Sequence, residues 1–222
     1  MNLTDIIGPV MVGPSSSHTA GAVKIGNIGR KLLGSDLKRA DLYFHGSFRT
    51  TGKGHGTDRA LVAGLLGWNV DDEKIPESLE FAKKSGIEIN MYPIDLGDEY
   101  HPNSVKMVLY GENKKSLEVI GSSVGGGQIM IVEIDGLPVN FSGDYPTLVV
   151  HNQDKPGHVA EVTSLLSREK INIATILLNR SGRGGYAVMV LELDCELPKE
   201  ILEQLEKIDG VIKVTYLSLA EE

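Results

Sequence analysis

Residues 145–217, YPTLVVHNQDKPGHVAEVTSLLSREKINIATILLNRSGRGGYAVMVLELDCELPKEILEQLEKIDGVIKVTYL, decide the fold of the C-terminal part of the chain. Apolar residues alternate or cluster in four short runs, which is typical of strands, and recur at helical spacing in two longer runs. The predicted strands are Tyr145–His151, Ile171–Leu178, Tyr186–Leu193 and Val211–Leu217, and the predicted helices are Gly157–Glu169 and Pro198–Ile208. The resulting order, βαββαβ, predicts a ferredoxin-like domain.

The remaining N-terminal part is glycine-rich and less regular. Helical spacing of apolar residues follows Ala20 and recurs at about residues 57–66, whereas the segments between residues 87 and 141 alternate like strands. Helices early and strands late predict an α+β domain. We therefore predict an α+β protein with two domains, residues 1–143 and residues 144–222.

Composition limits the classes of function. The 222 residues carry a net charge of −8, which disfavours a general nucleic-acid binder because phosphate neutralisation needs a basic surface. No apolar run approaches the roughly 18 residues needed to span a bilayer. The first residues lack the basic segment of a secretory signal. We expect a cytoplasmic protein with neither a nucleic-acid nor a membrane partner.

Cysteine usage limits the metal chemistry. The chain has one cysteine, Cys195, whereas an iron–sulfur cluster typically takes about four thiolates. The sequence also lacks the histidine and carboxylate spacing of a zinc site. No metal ligand is predicted in this chain, and any iron–sulfur cluster involved has to be held by another polypeptide.

A cluster of hydroxyls and an imidazole precedes the first predicted helix. The motif PSSSHT contains Ser15, Ser16, Ser17, His18 and Thr19. Hydroxyl donors, unpaired first-turn amides and the positive end of the helix dipole together favour a small carboxylate or phosphate. Plain N-capping is the alternative, but it needs one serine rather than three and a histidine.

A second cluster follows in HGSFRTTGKGHGTD, residues 45–58, which we predict to be a loop that leads into a helix. His45 and His55 lie in it, with Arg49 and Lys53 between them as partners for a carboxylate. A solvated surface loop with incidental histidines is the alternative. The segment is neither a P-loop, because no hydroxyl follows the lysine, nor a dinucleotide-binding fingerprint. GSSVGGG, residues 121–127, is predicted to be a flexible loop near a ligand or a partner chain.

The pattern N-x-D-x-P-G at residues 152–157, followed by I-N-I at residues 171–173, resembles the ACT domain of amino-acid-regulated enzymes. That resemblance implies side-by-side pairing of two domains, hence a homodimer, with a small amino acid bound at the joint. It makes Asn152, Asp154, Gly157 and Asn172 candidate effector contacts. The alternative is that these residues only cap a helix and shape turns.

Taken with the ACT-like segment, GPVMVGPSSSHTAG and FHGSFRTTGKGHGTDRALVAGLLG resemble the beta chain of bacterial iron–sulfur-dependent L-serine dehydratases. The resemblance implies a lyase that converts L-serine to pyruvate and ammonia. It also implies a separate alpha chain holding a [4Fe–4S] cluster, whose open iron acts as a Lewis acid on the serine hydroxyl.

The same resemblance distributes roles among the residues of the two clusters. It implies that Ser15, Ser16, Ser17 and Thr19 hold the substrate carboxylate and leaves Arg49 and Lys53 as further substrate-binding candidates. His18, His45 and His55 are candidates for proton transfer. Which of them is the general base stays open.

A different class of function is also implied. The N-terminal domain resembles the extra substrate- or effector-binding domain of some phosphoglycerate dehydrogenases. The alternative function is therefore a non-catalytic, amino-acid-binding regulatory subunit or sensor that dimerises through its ACT domain.

Overall fold

The computed structural model describes residues 10–218 and divides into two compact units, of which the first ends at Gly136 and the second begins at Leu137. The division falls before the predicted boundary at residue 143 because the strand Leu137–Phe141 packs against strands of the second unit. Residues 1–9 and 219–222 of the two predicted domains lie outside the described residues. Between residues 10 and 218, no helix is long and apolar enough to cross a membrane.

The first unit combines helices with a mixed sheet. A π-helical turn, Ser16–Ala20, leads into the first helix. The helices are α1 (Gly21–Leu33), α2 (Gly46–Thr50), α3 (Gly52–His55), α4 (Thr57–Leu65) and α5 (Ser78–Lys84). The strands are β1 (Leu37–Phe44), β2 (Glu88–Pro93), β3 (Ser104–Gly111), β4 (Ser116–Gly125) and β5 (Gln128–Ile134). They are hydrogen-bonded in the order β2-β1-β3-β4-β5, with β1 and β2 parallel and the other pairs antiparallel.

Glycines let the backbones of α1 and α4 touch. A Cβ added to Gly64 would lie 2.0 Å from the carbonyl oxygen of Val23, and one added to Gly26 would lie 2.3 Å from that of Leu61. Both distances are far below van der Waals contact, so no larger residue fits at either position. The contact fixes how the segments before the two helices meet.

Two local predictions were wrong. Residues 45–58 do not form a loop, because α2 and α3 cover most of the segment before α4. The hydroxyl of Thr51 donates to the carbonyl oxygen of Ser47 at 2.9 Å, and Gly46 and Gly56 take the left-handed backbone needed where the short helices begin and end. Residues 121–127 are the end of β4 and the turn into β5, rather than a flexible loop.

The second unit confirms the βαββαβ order predicted for residues 145–217. After β6 (Leu137–Phe141) come β7 (Thr147–Gln153), α6 (His158–Arg168), β8 (Ile173–Arg180), β9 (Tyr186–Leu193), α7 (Lys199–Leu205) and β10 (Val211–Leu217). The sheet order is β10-β7-β9-β8, and all its neighbours are antiparallel. Both helices pack on one face of the sheet, where Val162, Leu166 and Leu205 cover Leu148 and Met189.

The α1–α4 contact yields a stability prediction. Gly64→Ala should lower the free energy of unfolding by about 1–3 kcal/mol, because overpacking outweighs the intrinsic gain of alanine in a helix. Urea denaturation of the full chain measures the change. Gly54→Ala in α3 is the matched control, since a Cβ there meets nothing within 4 Å. An unchanged urea midpoint for Gly64→Ala would show that the contact is not tight.

Candidate functional site

The π-helical turn Ser16–Ala20 places the imidazole of the first cluster. Ser15 precedes the turn, and its Oγ accepts a hydrogen bond from the backbone N–H of His18 at 3.3 Å. Thr19 and Ala20 are buried with His18, and the chain continues directly into α1. Single π-helical turns are rare and are frequent at functional sites. Here the turn directs the His18 ring inward, where it is 9% exposed.

Both nitrogens of the His18 ring are within hydrogen-bond distance of hydroxyls. Nδ1 lies 3.2 Å from Oγ of Ser17, and Nε2 lies 3.2 Å from Oγ of Ser47 and 3.0 Å from Oγ1 of Thr51. Ser47 and Thr51 are themselves 3.1 Å apart. The imidazole therefore joins the turn before α1 to the α2–α3 segment.

One arrangement of protons satisfies this network. The Thr51 hydroxyl donates to the carbonyl oxygen of Ser47, so its oxygen is available to accept from Nε2–H of His18. Nδ1 of His18 then accepts from the hydroxyl of Ser17. In this arrangement His18 is neutral.

Burial and a neighbouring imidazole keep His18 neutral. Desolvation is the larger cause of its lowered pKa, and the positive charge of a protonated His55 is the second. The two ring centroids lie 4.9 Å apart. Because the unfolded chain binds this proton with a pKa of about 6.5, the free energy of unfolding falls as the pH drops below that value and through the lower folded pKa.

His55 is held in the tautomer that suits a proton acceptor. Its ring is on the exposed end of α3, and Nδ1 lies 3.1 Å from the carbonyl oxygen of Thr51. A carbonyl only accepts, so Nδ1 carries the proton and Nε2 of the neutral ring has a free lone pair. The geometry therefore gives His55 an accessible basic nitrogen.

His45 has the opposite tautomer. It precedes α2, and its Nδ1 accepts a hydrogen bond from the backbone N–H of Leu96 at 3.1 Å. Its neutral ring therefore carries the proton on Nε2 and has no free basic nitrogen. The carboxylate of Asp95 lies 3.8 Å from the same Nδ1. His45 is thus placed as a hydrogen-bond donor.

The four hydroxyl residues predicted to bind a carboxylate differ in their exposure. Ser15, Ser16 and Ser17 are half-buried, and the hydroxyls of Ser15 and Ser17 lie 3.3 Å apart. Thr19 is buried beneath Gly13, and its hydroxyl has no hydrogen-bond partner among residues 10–218. Ser15 and Ser17 border the His18 imidazole, whereas Thr19 faces the interior.

Arg49 and Lys53 lie away from this cluster. Ser47, Thr51 and His55 follow one another at four-residue spacing and face His18, whereas residues 49 and 53 occupy the opposite side of the same helical segment. Both cations line a cavity, and none of the residues that hydrogen-bond to His18 borders it. The structure therefore does not bring together all the substrate-binding residues predicted from the sequence.

Three effector candidates meet at one end of the second unit. The carboxylate of Asp154 accepts from Arg180 at 2.7 Å and from the backbone N–H of Gly184 at 2.9 Å. These bonds, the one from Gly184 first, lower the pKa of Asp154. Asn152 is buried, with its Oδ1 unpaired within the described part of the chain, and Gly157 precedes α6 with a φ of 99°.

Asn172 lies at the other end of that sheet. Asn152 pairs with Ala187 in β9, whereas Asn172 precedes the pairing of Ile173 with Leu193. Six residues of β9 span roughly 20 Å at about 3.4 Å each. The amide of Asn172 instead donates to Asp194 at 2.6 Å. Within one chain, the four predicted effector contacts therefore lie in two groups at opposite ends of the sheet.

Sequence reasoning missed three residues of the site: Ser47, Phe48 and Thr51. Phe48 packs its ring edge-on against that of His18, with centroids 5.3 Å apart. The signal was present, because Ser47, Thr51 and His55 follow one another at the four-residue spacing of a helix face. A segment predicted to be a loop has no helix face, so the spacing did not point to these residues.

The described residues do not fit an iron–sulfur cluster. The single cysteine, Cys195, is exposed and follows β9 in the second unit. Within residues 10–218 no group of three or more histidine, cysteine, aspartate or glutamate side chains is placed to hold a metal ion. This chain by itself does not supply the ligand set of such a cluster.

Comparison with known proteins identifies the family. The chain is 41% identical over 214 residues to the probable L-serine dehydratase beta chain of Bacillus subtilis (strain 168), with 96% of each chain covered. This chain belongs to the serine dehydratase beta chain family. The model of that family matches residues 3–92, and the ACT domain model matches residues 146–210. Both resemblances drawn from the sequence motifs are confirmed.

Two further relatives extend the comparison. The L-serine dehydratase beta chain of Peptoniphilus asaccharolyticus is 38% identical, with 97% of each chain covered. The D-3-phosphoglycerate dehydrogenase of Archaeoglobus fulgidus is 30% identical over 89% of this chain, which corresponds to 37% of that enzyme. Most of this chain is therefore similar to one part of a longer enzyme with a different name.

The imidazole pair yields a titration prediction. His55→Asn should raise the pKa of His18, because the amide retains a donor for the Thr51 carbonyl while the neighbouring positive charge is lost. The pKa should stay below about 6.5, since burial is the larger cause. NMR titration of the ring protons measures both values, with His101→Asn as the control. An unchanged pKa would show that the two rings do not interact.

Proposed function

We propose that this chain is the beta subunit of an L-serine dehydratase that converts L-serine to pyruvate and ammonia. The observation that carries the proposal is the pair of imidazoles, His18 and His55, 4.9 Å apart beside the hydroxyls of Ser15 and Ser17. The identity of 41% to a probable L-serine dehydratase beta chain over nearly the full length supports it.

The reaction has to break two bonds of the substrate. L-Serine loses its α-proton and its β-hydroxyl as water, and the resulting enamine tautomerises and is hydrolysed to pyruvate and ammonia. The chemistry therefore needs a base near the α-carbon and groups that orient the carboxylate. Both kinds of group are present around the π-helical turn.

His55 is the proposed general base. Its Nδ1 proton is engaged by the Thr51 carbonyl, which leaves Nε2 as the accepting atom. His18 is neutral and hydrogen-bonded at both ring nitrogens. We therefore propose that its role is to orient Ser17 and the α2–α3 segment. His45, with its proton on Nε2, is proposed to donate a hydrogen bond to the substrate or to the leaving water.

Ser15, Ser16 and Ser17 are the proposed donors to the substrate carboxylate. The three residues are half-buried, and the hydroxyl of Ser17 lies 3.2 Å from Nδ1 of His18, where partial exclusion of water strengthens each hydrogen bond. Thr19 is too deeply buried beside Gly13 to share this role without a movement of the turn.

An alpha chain is proposed as the holder of the [4Fe–4S] cluster. The described part of this chain lacks a ligand set for it, and Cys195 is distant in sequence from the imidazoles. The proposed active site is therefore shared, with this chain supplying the hydroxyls and imidazoles.

Anaerobic reconstitution tests the assignment. Co-purification of this chain with a cysteine-rich partner, followed by a serine-to-pyruvate assay, should give activity that neither chain has alone. A complex that contains the cluster but does not turn over L-serine would refute the proposal.

His55→Asn should reduce kcat of the reconstituted enzyme by about 10²- to 10⁴-fold, which is the usual contribution of a general base. The chain should still fold, because the hydrogen bond to Thr51 is retained. His101→Asn, which keeps an acceptor for the backbone N–H of Asn103, is the matched control and should keep wild-type activity. Full activity of His55→Asn would remove this histidine from the mechanism.

The ACT domain is proposed to pair two copies of this chain and to bind a small amino acid, with L-serine itself as the candidate effector. Asn152, Asp154 and Gly157 would contribute from one copy and Asn172 from the other, since one chain keeps them roughly 20 Å apart. This arrangement is the reason to expect a site at the joint.

Asp154→Ala should change the amino-acid dependence of the reconstituted enzyme while leaving kcat within about twofold, because Asp154 contacts Arg180 and Gly184 and none of the imidazoles. Initial-rate curves against L-serine, and sedimentation for the dimer, measure the outcome. Unchanged curves would make this loop purely structural.

A second candidate function is a regulatory subunit that binds an amino acid without catalysis. The D-3-phosphoglycerate dehydrogenase of Archaeoglobus fulgidus favours it, because 89% of this chain matches part of that differently named enzyme at 30% identity. Amino-acid binding by this chain, together with wild-type activity of His55→Asn, would support this function over the first.

A further inference from the structure

The cavity beside Arg49 and Lys53 belongs to neither the proposed active site nor the ACT domain. Its volume is about 360 Å³, which lies within the roughly 300–1,000 Å³ of small-molecule sites. Its apolar wall comes from Phe44, Phe48, Met91 and Pro93.

Within residues 10–218, the two cations of the cavity have no ion-pair partner. Arg49 and Lys53 are four residues apart on one side of the α2–α3 segment, and like charges at that spacing repel. Neither forms an ion pair or hydrogen bond with another side chain of the described residues. Asp58 is the carboxylate at the cavity, and its Oδ1 already accepts from the backbone N–H of Arg59 at 2.9 Å. An anion between the two cations would relieve the repulsion.

The apolar wall is rigid and suits a flat or branched body. Phe48 is 2% exposed and is fixed by its edge-on contact with His18. Met91 and Pro93 continue the wall along β2. A ligand body can therefore contact apolar side chains held by a helix and a strand, which do not have to be ordered on binding.

We propose that this cavity binds a small organic carboxylate with an aromatic or branched apolar body. Its carboxylate lies between Arg49 and Lys53, and its body lies on Phe44, Met91 and Pro93. L-Serine lacks such a body, so the cavity discriminates against it. The site is separate from the proposed dehydratase site and does not depend on that activity, although Phe48 is a wall common to both.

Calorimetric titration of the full chain with phenylpyruvate tests the proposal. Binding should be detected, and Arg49→Met or Lys53→Met should each weaken it about tenfold or more, because each removes a charge-assisted contact while keeping the apolar stem. Met91→Ala should also weaken it, because it removes part of the apolar wall. Lys83→Met, which removes an exposed cation of α5 away from the cavity, is the matched control and should bind like the wild type.

Comparison ligands separate the contributions of charge and body. Pyruvate and inorganic phosphate carry charge without the apolar body, and 2-phenylethanol carries the body without charge, so each should bind at least about tenfold more weakly than phenylpyruvate. Equal binding of any of the three, or no binding of phenylpyruvate, overturns the proposal.

His55→Asn locates the ligand. Unchanged phenylpyruvate affinity in that variant supports a separate site, whatever happens to serine turnover. A loss of affinity comparable to that of Arg49→Met would place the ligand at the imidazoles and refute the cavity.

Discussion

The contact between α1 and α4 is the constraint on which the first unit depends. Gly26 and Gly64 allow each backbone to touch the other, and any side chain there would push the helices apart. His18 lies three residues before α1, and His55 lies two residues before α4. A close, fixed contact between the helices therefore brings an imidazole from each preceding segment to 4.9 Å from the other. Packing of apparently featureless residues thus sets the geometry of the polar cluster.

The two imidazoles are held in different ways. His18 is buried, and a charge on it would be desolvated and would face His55. His55 is exposed, but the carbonyl of Thr51 selects the tautomer in which Nε2 accepts a proton. The proposed proton abstraction needs an exposed base that is held in one tautomer beside a fixed neighbour. The hydroxyls of Ser47 and Thr51 matter because they hold His18 in the orientation that produces this pair.

Opposite sides of one short helical segment serve different chemistry. The side with Ser47 and Thr51 faces the imidazoles, and the side with Arg49 and Lys53 faces an apolar cavity. Phe48 lies between them and contacts both. The second unit is built on separate principles, with the loop after β7 fixed by Asp154 through Arg180 and Gly184. A proposed effector site there and a proposed anion site in the first unit can therefore be altered independently by mutation.

The sequence by itself determined the order of helices and strands in the second unit and the family. Periodicity depends on local spacing, so Tyr186–Leu193 and Val211–Leu217 were predicted at their observed bounds, and the PSSSHT and GKGHGTD motifs were legible without coordinates. The tertiary structure alone decided which residues meet. Helix faces and strand register placed Ser47 and Thr51 on His18, turned Arg49 and Lys53 away from it, and put Asn172 at the opposite end of the sheet from Asn152. Such proximities depend on packing between segments far apart in the chain, which no local pattern encodes.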